Sequence, residues 1–307
     1  MRATKQAMVK IGVIGTVKQL DSYARYFQLT DGVMLSGVLY TDLETPDPAI
    51  HIFQNPEELY QGSDAVYLFP NSSNQFDIAL QSIQNGKHIF LEDLSGFTLT
   101  ETSQLLTSSK EANVKCIGGS PELCHPVYVA AKKESVNPLF IDVIQSKAHG
   151  SHQGHNIISE MMSKDITIIL DMVKSDIKRI WANGAKVMSD QFDIANVRLE
   201  FFNGCVAVLT ARNTTIMNER KMTIYDEKKI IHLDLKNEIA EISTKEDGIL
   251  KTSVSHAKEI SLFKYQLDNF RDCILLYAEP IVSLRGSYEN ADISSRILKK
   301  INSFSEE

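Results

Sequence analysis

Val9-Lys10-Ile11-Gly12-Val13-Ile14-Gly15 is a short β-rich apolar run ending on a glycine, and the stretch from Thr16 to Phe27 continues it with helical spacing. Strand, glycine turn and helix in that order open a dinucleotide-binding βαβ unit. Such a turn uses three glycines. The first permits the tight bend, the second lets backbone N–H groups approach a pyrophosphate, and the third lets helix pack on strand. Counted from Gly15, the second and third positions carry Val17 and Leu20. The reading is a cofactor turn of Gly12, Gly15, Thr16 and Val17 that keeps one of its three glycines.

Further strands follow at short intervals. Val33 to Tyr40 is a second buried strand, bounded by turn residues. An acid for the adenosine ribose belongs at its end, where Tyr40 stands; Asp42, two residues on, is either that acid in a shifted register or a loop carboxylate. Asn55-Pro56 caps and starts a short helix. Strands at Ala65–Phe69, His88–Leu91 and Val114–Ile117 alternate with helices at Gln75–Asn85, stopped by Gly86, and Thr100–Asn113. This alternation predicts a parallel, doubly wound sheet over residues 1–121.

The rhythm changes at residue 122. Alternating stretches at 140–149, 177–188, 194–202, 205–211, 221–225, 229–235 and 239–243 have one polar and one apolar face, and Asn203-Gly204 is a hairpin signal. Helical stripes run over 157–173, 261–277 and 287–304. The expectation is an α/β protein with a parallel-sheet domain at 1–121. An α+β domain with a mainly antiparallel open sheet occupies 122–286, and a last helix at 287–307 packs back on the first domain.

Composition sets limits. The chain has 307 residues, 43% of them hydrophobic and 23% charged, with a net charge of −7. That balance argues against nucleic acid or an anionic membrane as partner. No apolar run is long enough for a membrane helix. Cys116, Cys124, Cys205 and Cys273 form no C-x-x-C pair, which fits reduced thiols in a cytoplasm better than disulfides or a zinc site.

Five strings in order, VKIGVIG (9–15), DAVYLFPNSSNQ (64–75), NGKHIFLED (85–93), SEMMSKDITIILDMV (159–173) and EPIVSLRGSYENADISSRILKKI (279–301), resemble the Gfo/Idh/MocA oxidoreductases over nearly the whole chain. The resemblance implies NAD or NADP as cofactor, a sugar-like or polyol substrate, and homo-oligomers joined through the C-terminal sheet. Mapped by it, Gly12, Gly15, Thr16, Val17, Asp42, Pro70, Asn71, Gln75 and Glu92 fall at cofactor positions, with Ser72, Ser73 and Asn74 beside them. His125, Glu160 and Asp165 fall at substrate positions. The family's Glu-Lys-Pro tripeptide, whose lysine is the usual catalytic group, reads Glu92-Asp93-Leu94, and its catalytic histidine position reads Lys164.

An aspartate at 93 repels phosphates and cannot stabilise an alkoxide. Two readings follow. In one the chain is a dehydrogenase using Lys164, Glu92, Asp93 and a loop histidine such as His155. In the other it is a catalytically degenerate member that binds a ligand or serves as a scaffold. The biliverdin reductases, which resemble the same family and lack that lysine, offer a third and weaker comparison. His149, His152 and His155 match no metal-ligand spacing, and no metal is expected. His125 either contacts a ligand or caps a helix. Trp181 reads as sheet packing, and Arg212 and Arg220 as exposed ion pairs.

Overall fold

Five parallel strands, the inner ones buried on both faces, form the centre of the first unit. The computed structural model describes residues 7–42, 50–70, 74–92, 94, 97–134, 137–148, 157–215, 217–246, 249–256 and 261–304. In chain order the first elements are β1 (Val9–Gly15), α1 (Val17–Gln28), β2 (Val33–Tyr40), α2 (Pro56–Gly62), β3 (Ala65–Leu68), α3 (Gln75–Gln84), β4 (His88–Leu91), α4 (Leu99–Glu111) and β5 (Cys116–Gly118). All their pairings are parallel, in the order β2-β1-β3-β4-β5. Asn55 caps α2 by accepting from the Glu58 amide at 2.9 Å, and Gly86 takes the left-handed conformation (φ +71°) that stops α3.

Strand alternation divides the core in two. Ile11, Val13, Tyr67 and Phe90 face one side with Leu20 and Phe27 of α1. Ile14, Val66, Leu68 and Ile89 face the other with Leu59, Ala79, Ile83 and Leu105.

The second unit contains α5 (Pro126–Lys132), β6 (Phe140–Ala148), a π turn at Ile158–Met162, α6 (Ser163–Val173), β7 (Ile177–Ala185), β8 (Ile194–Phe201), β9 (Val206–Thr215), β10 (Glu219–Tyr225), β11 (Lys229–Asp234), β12 (Ile239–Glu246) and β13 (Ile249–His256). They form one sheet in the order β13-β12-β11-β10-β6-β9-β8-β7, antiparallel apart from the parallel pair β6/β9. The Asn203-Gly204 turn joins β8 to β9, with Gly204 at φ +92°.

The chain ends with α7 (Leu262–Leu275) and α8 (Leu284–Phe304). Residues 1–121 and 261–288 group into the first unit, and 122–260 and 289–307 into the second. The boundaries expected from the sequence differ at the C-terminal end. Residues 261–286 leave the sheet unit because Phe263, Leu267, Phe270 and Cys273 of α7 complete the α1 side of the parallel-sheet core. Most of α8 groups with the second unit, where Asn290 donates to the Ser163 carbonyl at 2.7 Å.

Asp193 closes the loop between β7 and β8. Its Oδ2 accepts from the amides of Val187 (2.8 Å), Met188 (2.7 Å) and Ser189 (3.0 Å). Burial raises its pKa, but these amides and the Ser189 hydroxyl outweigh that and hold it at about 2. A carboxylate depressed in the folded state gives stability that is complete above the unfolded value near ~3.9 and is lost as pH falls through about 2. Urea unfolding of Asp193→Asn at several pH values is expected to show a flatter acid limb than the parent. An unchanged limb would remove Asp193 from the acid response.

Candidate functional site

In an open α/β sheet the ligand crevice lies beyond the carboxyl ends of the strands, where the order reverses. Here that is the β1/β3 boundary, at Gly15 and Phe69-Pro70. The protein's own side chains knit this crevice. Thr16 caps α1, accepting from the Gln19 amide at 3.3 Å while the Gln19 side chain accepts from the Thr16 amide at 2.9 Å. The same Gln19 spans the switch point, its Nε2 donating to the Pro70 carbonyl at 2.8 Å. The Val17 amide donates to both oxygens of Asp42 at 3.3 Å.

Three amides of the turn, at 16, 17 and 19, are therefore committed to side-chain oxygens. One of those amides, that of Val17, is held by both oxygens of a carboxylate at the positive end of a helix. Val17 and Leu20, 5% and 0% exposed, point into the core where glycines would have left room. A Cβ added at Gly15 would stand 2.8 Å from the Phe69 ring and 2.9 Å from the Gln19 amide oxygen, so this glycine serves the strand–helix junction itself. The residues present do not fit a dinucleotide pyrophosphate: its phosphates would meet Asp42 where they need free N–H donors.

The other cofactor positions divide. Gly12 is not a turn residue: a Cβ there would lie 2.5 Å from Ser63 Oγ and 3.0 Å from Leu59, so it admits α2 onto the sheet. Asp42 faces the amide of Val17, the loop-acid alternative with a helix-end partner. Pro70 accepts from Gln19, and Gln75 is the first residue of α3. Glu92 follows β4, its amide donating to the Leu68 carbonyl at 3.1 Å. The Glu92 carbonyl lies 2.5 Å from where a Cβ of Gly119 would stand. Tyr23 is raised in pKa by burial and then by the Glu92 charge. Asn71, Ser72, Ser73, Asp93, His149, His152 and His155 lie outside the described residues.

The substrate positions fall in the second unit. Glu160, in the π turn, pairs with Lys147 of β6 at 2.7 Å. Lys164 is exposed on the first turn of α6. Asp165, the next residue, is 1% exposed and points inward. Its Oδ1 accepts from Arg220 Nε (2.9 Å) and lies 2.8 Å from Nη2 as an ion pair, and Arg220 Nη1 lies 3.9 Å from Glu122. With its amide nitrogen toward Asp165, Gln145 donates to Oδ2 at 3.1 Å and to the Met161 carbonyl at 3.1 Å. Arg220 is thus the partner of a buried carboxylate, not the exposed ion pair expected of it.

Burial raises the Asp165 pKa, and Arg220 opposes that rise. His125 precedes α5 without a side-chain cap bond; burial and then the Arg220 charge lower its pKa and keep it neutral. Of the expected substrate groups, His125 and Asp165 share the Arg220 environment, Glu160 pairs with Lys147, and Lys164 is exposed with its charge acting on Asp165. The sequence reading missed Gln19 and the Arg220 role. Thr16-x-x-Gln19 is a capping-box pattern and gave a usable signal for the first.

Residues 9–120 match the family profile described as "Oxidoreductase family, NAD-binding Rossmann fold", GFO_IDH_MocA. Over those residues the chain resembles that family of oxidoreductases. The fold extends that likeness to the rest of the chain. UDP-N-acetylglucosamine 3-dehydrogenase GnnA from Acidithiobacillus ferrooxidans is similar with a TM-score of 0.82 at 17% identity, over 97% of this chain and 99% of that one. A dehydrogenase (MviM) from Clostridium difficile has a TM-score of 0.78 at 17% identity, over 95% and 99%. An NAD-binding protein from Listeria innocua has a TM-score of 0.73 at 16% identity, over 96% and 95%. The sequence matches no curated protein. No helix among the described residues is long and apolar enough to cross a membrane, and no group of three or more His, Cys, Asp or Glu among them is placed to hold a metal.

Proposed function

We propose that this chain keeps the GFO_IDH_MocA fold as a binding protein and has left nicotinamide chemistry, the degenerate alternative of the two readings. The observation that carries it is the Asp42 carboxylate on the Val17 amide, beside turn amides already taken by Thr16 and Gln19. Asp165, held by Arg220 and Gln145, supports it as a structural carboxylate in place of a proton carrier.

A dehydrogenase acting on a sugar-like or polyol substrate is the second reading. Lys164 favours it, an exposed amine at the family's histidine position. The nucleotide-sugar dehydrogenase among the fold neighbours also favours it. Both features matter only if NAD or NADP binds.

Thermal unfolding with NAD, NADH, NADP and NADPH separates the two. A micromolar site saturated at about 1,000 times its dissociation constant would add about 4 kcal/mol of stability. No shift is expected with any of the four at millimolar concentration. A saturable shift with one of them, lost in Gly15→Val, would overturn the proposal and restore the dehydrogenase reading.

A further inference from the structure

The second unit presents an open groove far from neutral in charge. It lies between the edge strand β7 and α8, encloses about 430 Å³, and is lined by Lys178, Arg179, Ile180, Trp181, Arg296 and Lys300. Four cations stand together in a chain whose net charge is −7, and among the described residues no acidic one lines the groove. Of these four, Arg296 alone has an ion-pair partner among the described residues, Asp292 at 3.4 Å on its own helix, with both side chains about half exposed. Trp181 is 56% exposed, although a sheet-packing role was expected of it. It is the chain's one tryptophan.

Beside this cationic row runs an unpaired strand edge. Among the described residues β7 ends the sheet order and pairs with β8 alone. Backbone N–H and C=O groups along such an edge invite another strand. We infer that β7 is a docking strand for an extended acidic peptide. The peptide backbone adds beside β7, its carboxylates face Lys178, Arg179, Arg296 and Lys300, and one side chain lies on the Trp181 indole.

The charge selects this occupant. A second copy of β7 would bring Lys178 and Arg179 against their own kind, which is how cationic edges block self-association. A strand carrying alternate carboxylates meets the opposite condition, since strand addition supplies affinity through the backbone and specificity through alternate side chains. A compact anion would gain little from a groove this open, because small-ligand sites bury most of their ligand. The inference is independent of what the Gly15 turn binds.

The tryptophan gives a label-free readout. An acetylated octapeptide of alternating Glu and Val, titrated into the whole protein, is expected to change the Trp181 fluorescence saturably. The affinity should fall as salt rises. The Lys-Val peptide should give no saturable change. Arg179→Glu with Arg296→Glu, both exposed and checked for folding by circular dichroism, should weaken the Glu-Val peptide by about tenfold or more. The same peptide N-methylated at alternate residues separates strand addition from simple charge attraction, because it keeps every carboxylate and loses half of its donors. Loss of binding on methylation supports the inference. Equal binding of the methylated peptide, equal or tighter binding of inorganic tripolyphosphate, or no saturable response to the Glu-Val peptide would each overturn it.

Discussion

Arg220→Met is expected to destabilise the protein by about 3–5 kcal/mol, the usual cost of removing one partner from a buried ion pair. Asp165 is 1% exposed, and Arg220 donates to its Oδ1 from Nε while Nη2 stands against the same oxygen as an ion pair. Without the guanidinium the carboxylate keeps, among the described residues, Gln145 through Oδ2 and the charge of the exposed Lys164. Desolvation already lifts the Asp165 pKa while Arg220 opposes it, so the variant's carboxyl is pushed up further and takes a proton.

The sign of the pH dependence follows. A carboxyl with a raised folded pKa makes the native state bind more protons than the unfolded one, so stability falls as pH rises from the unfolded value to the folded one. Arg220→Met should therefore lose more stability at neutral pH than near pH ~4, a contrast weaker in the parent. Asp165→Leu combined with Arg220→Met removes the stranded charge together with its partner. It is expected to recover most of the loss, since buried pairs replaced by apolar groups are often neutral. Denaturant unfolding of the parent and the two variants at both pH values measures all of this. A single-variant loss below ~1 kcal/mol would mean that the Lys164 charge suffices as counter-charge for Asp165.

That pair also marks where the sequence stopped being legible. The parallel sheet could be read because β1, β3 and β4 are short apolar runs between turn residues, and such runs pair wherever the chain returns them. The second sheet could be read because alternation along β8 and β9 has one outcome once a face is buried. The site was harder. Val17 and Leu20 announced a damaged turn, yet nothing in the local sequence said that Asp42, 25 residues away, would come to the Val17 amide. Arg220 and Asp165 are separated by 55 residues and by four strand connections. Charges on an alternating strand look alike from sequence whether they meet solvent or a buried acid. Residues 261–286 were placed in the wrong unit for a related reason. An amphipathic helix declares which of its faces is apolar and is silent about which sheet it will cover.

Phe263→Ala tests that last placement, and its expected cost is about 3–5 kcal/mol, as for other large aromatic residues cut from a core. The ring is 4% exposed. It stacks on Tyr23 at 4.4 Å and meets Phe27 at 5.5 Å and Tyr67 at 5.2 Å, between ring centroids. Each such pair adds about 0.5–1.5 kcal/mol beyond the area buried. These contacts join α7 to α1 and β3, elements more than 190 residues earlier in the chain. At about 2–4 °C per kcal/mol for domains of this size, the melting temperature should fall by about 10 °C. Leu276→Ala serves as the control: the side chain is 71% exposed just past the end of α7, and its loss should cost within about 0.5 kcal/mol. Tyr23 and Phe69 stack at 5.5 Å, and Phe69 stands against Gly15, so the ring of Phe263 backs the wall of the turn. Amide exchange should then rise along α7 and at the start of α1 together. Faster exchange confined to α7, with a loss no larger than that of Leu276→Ala, would mean that the helix merely lies on the first unit and does not complete its core.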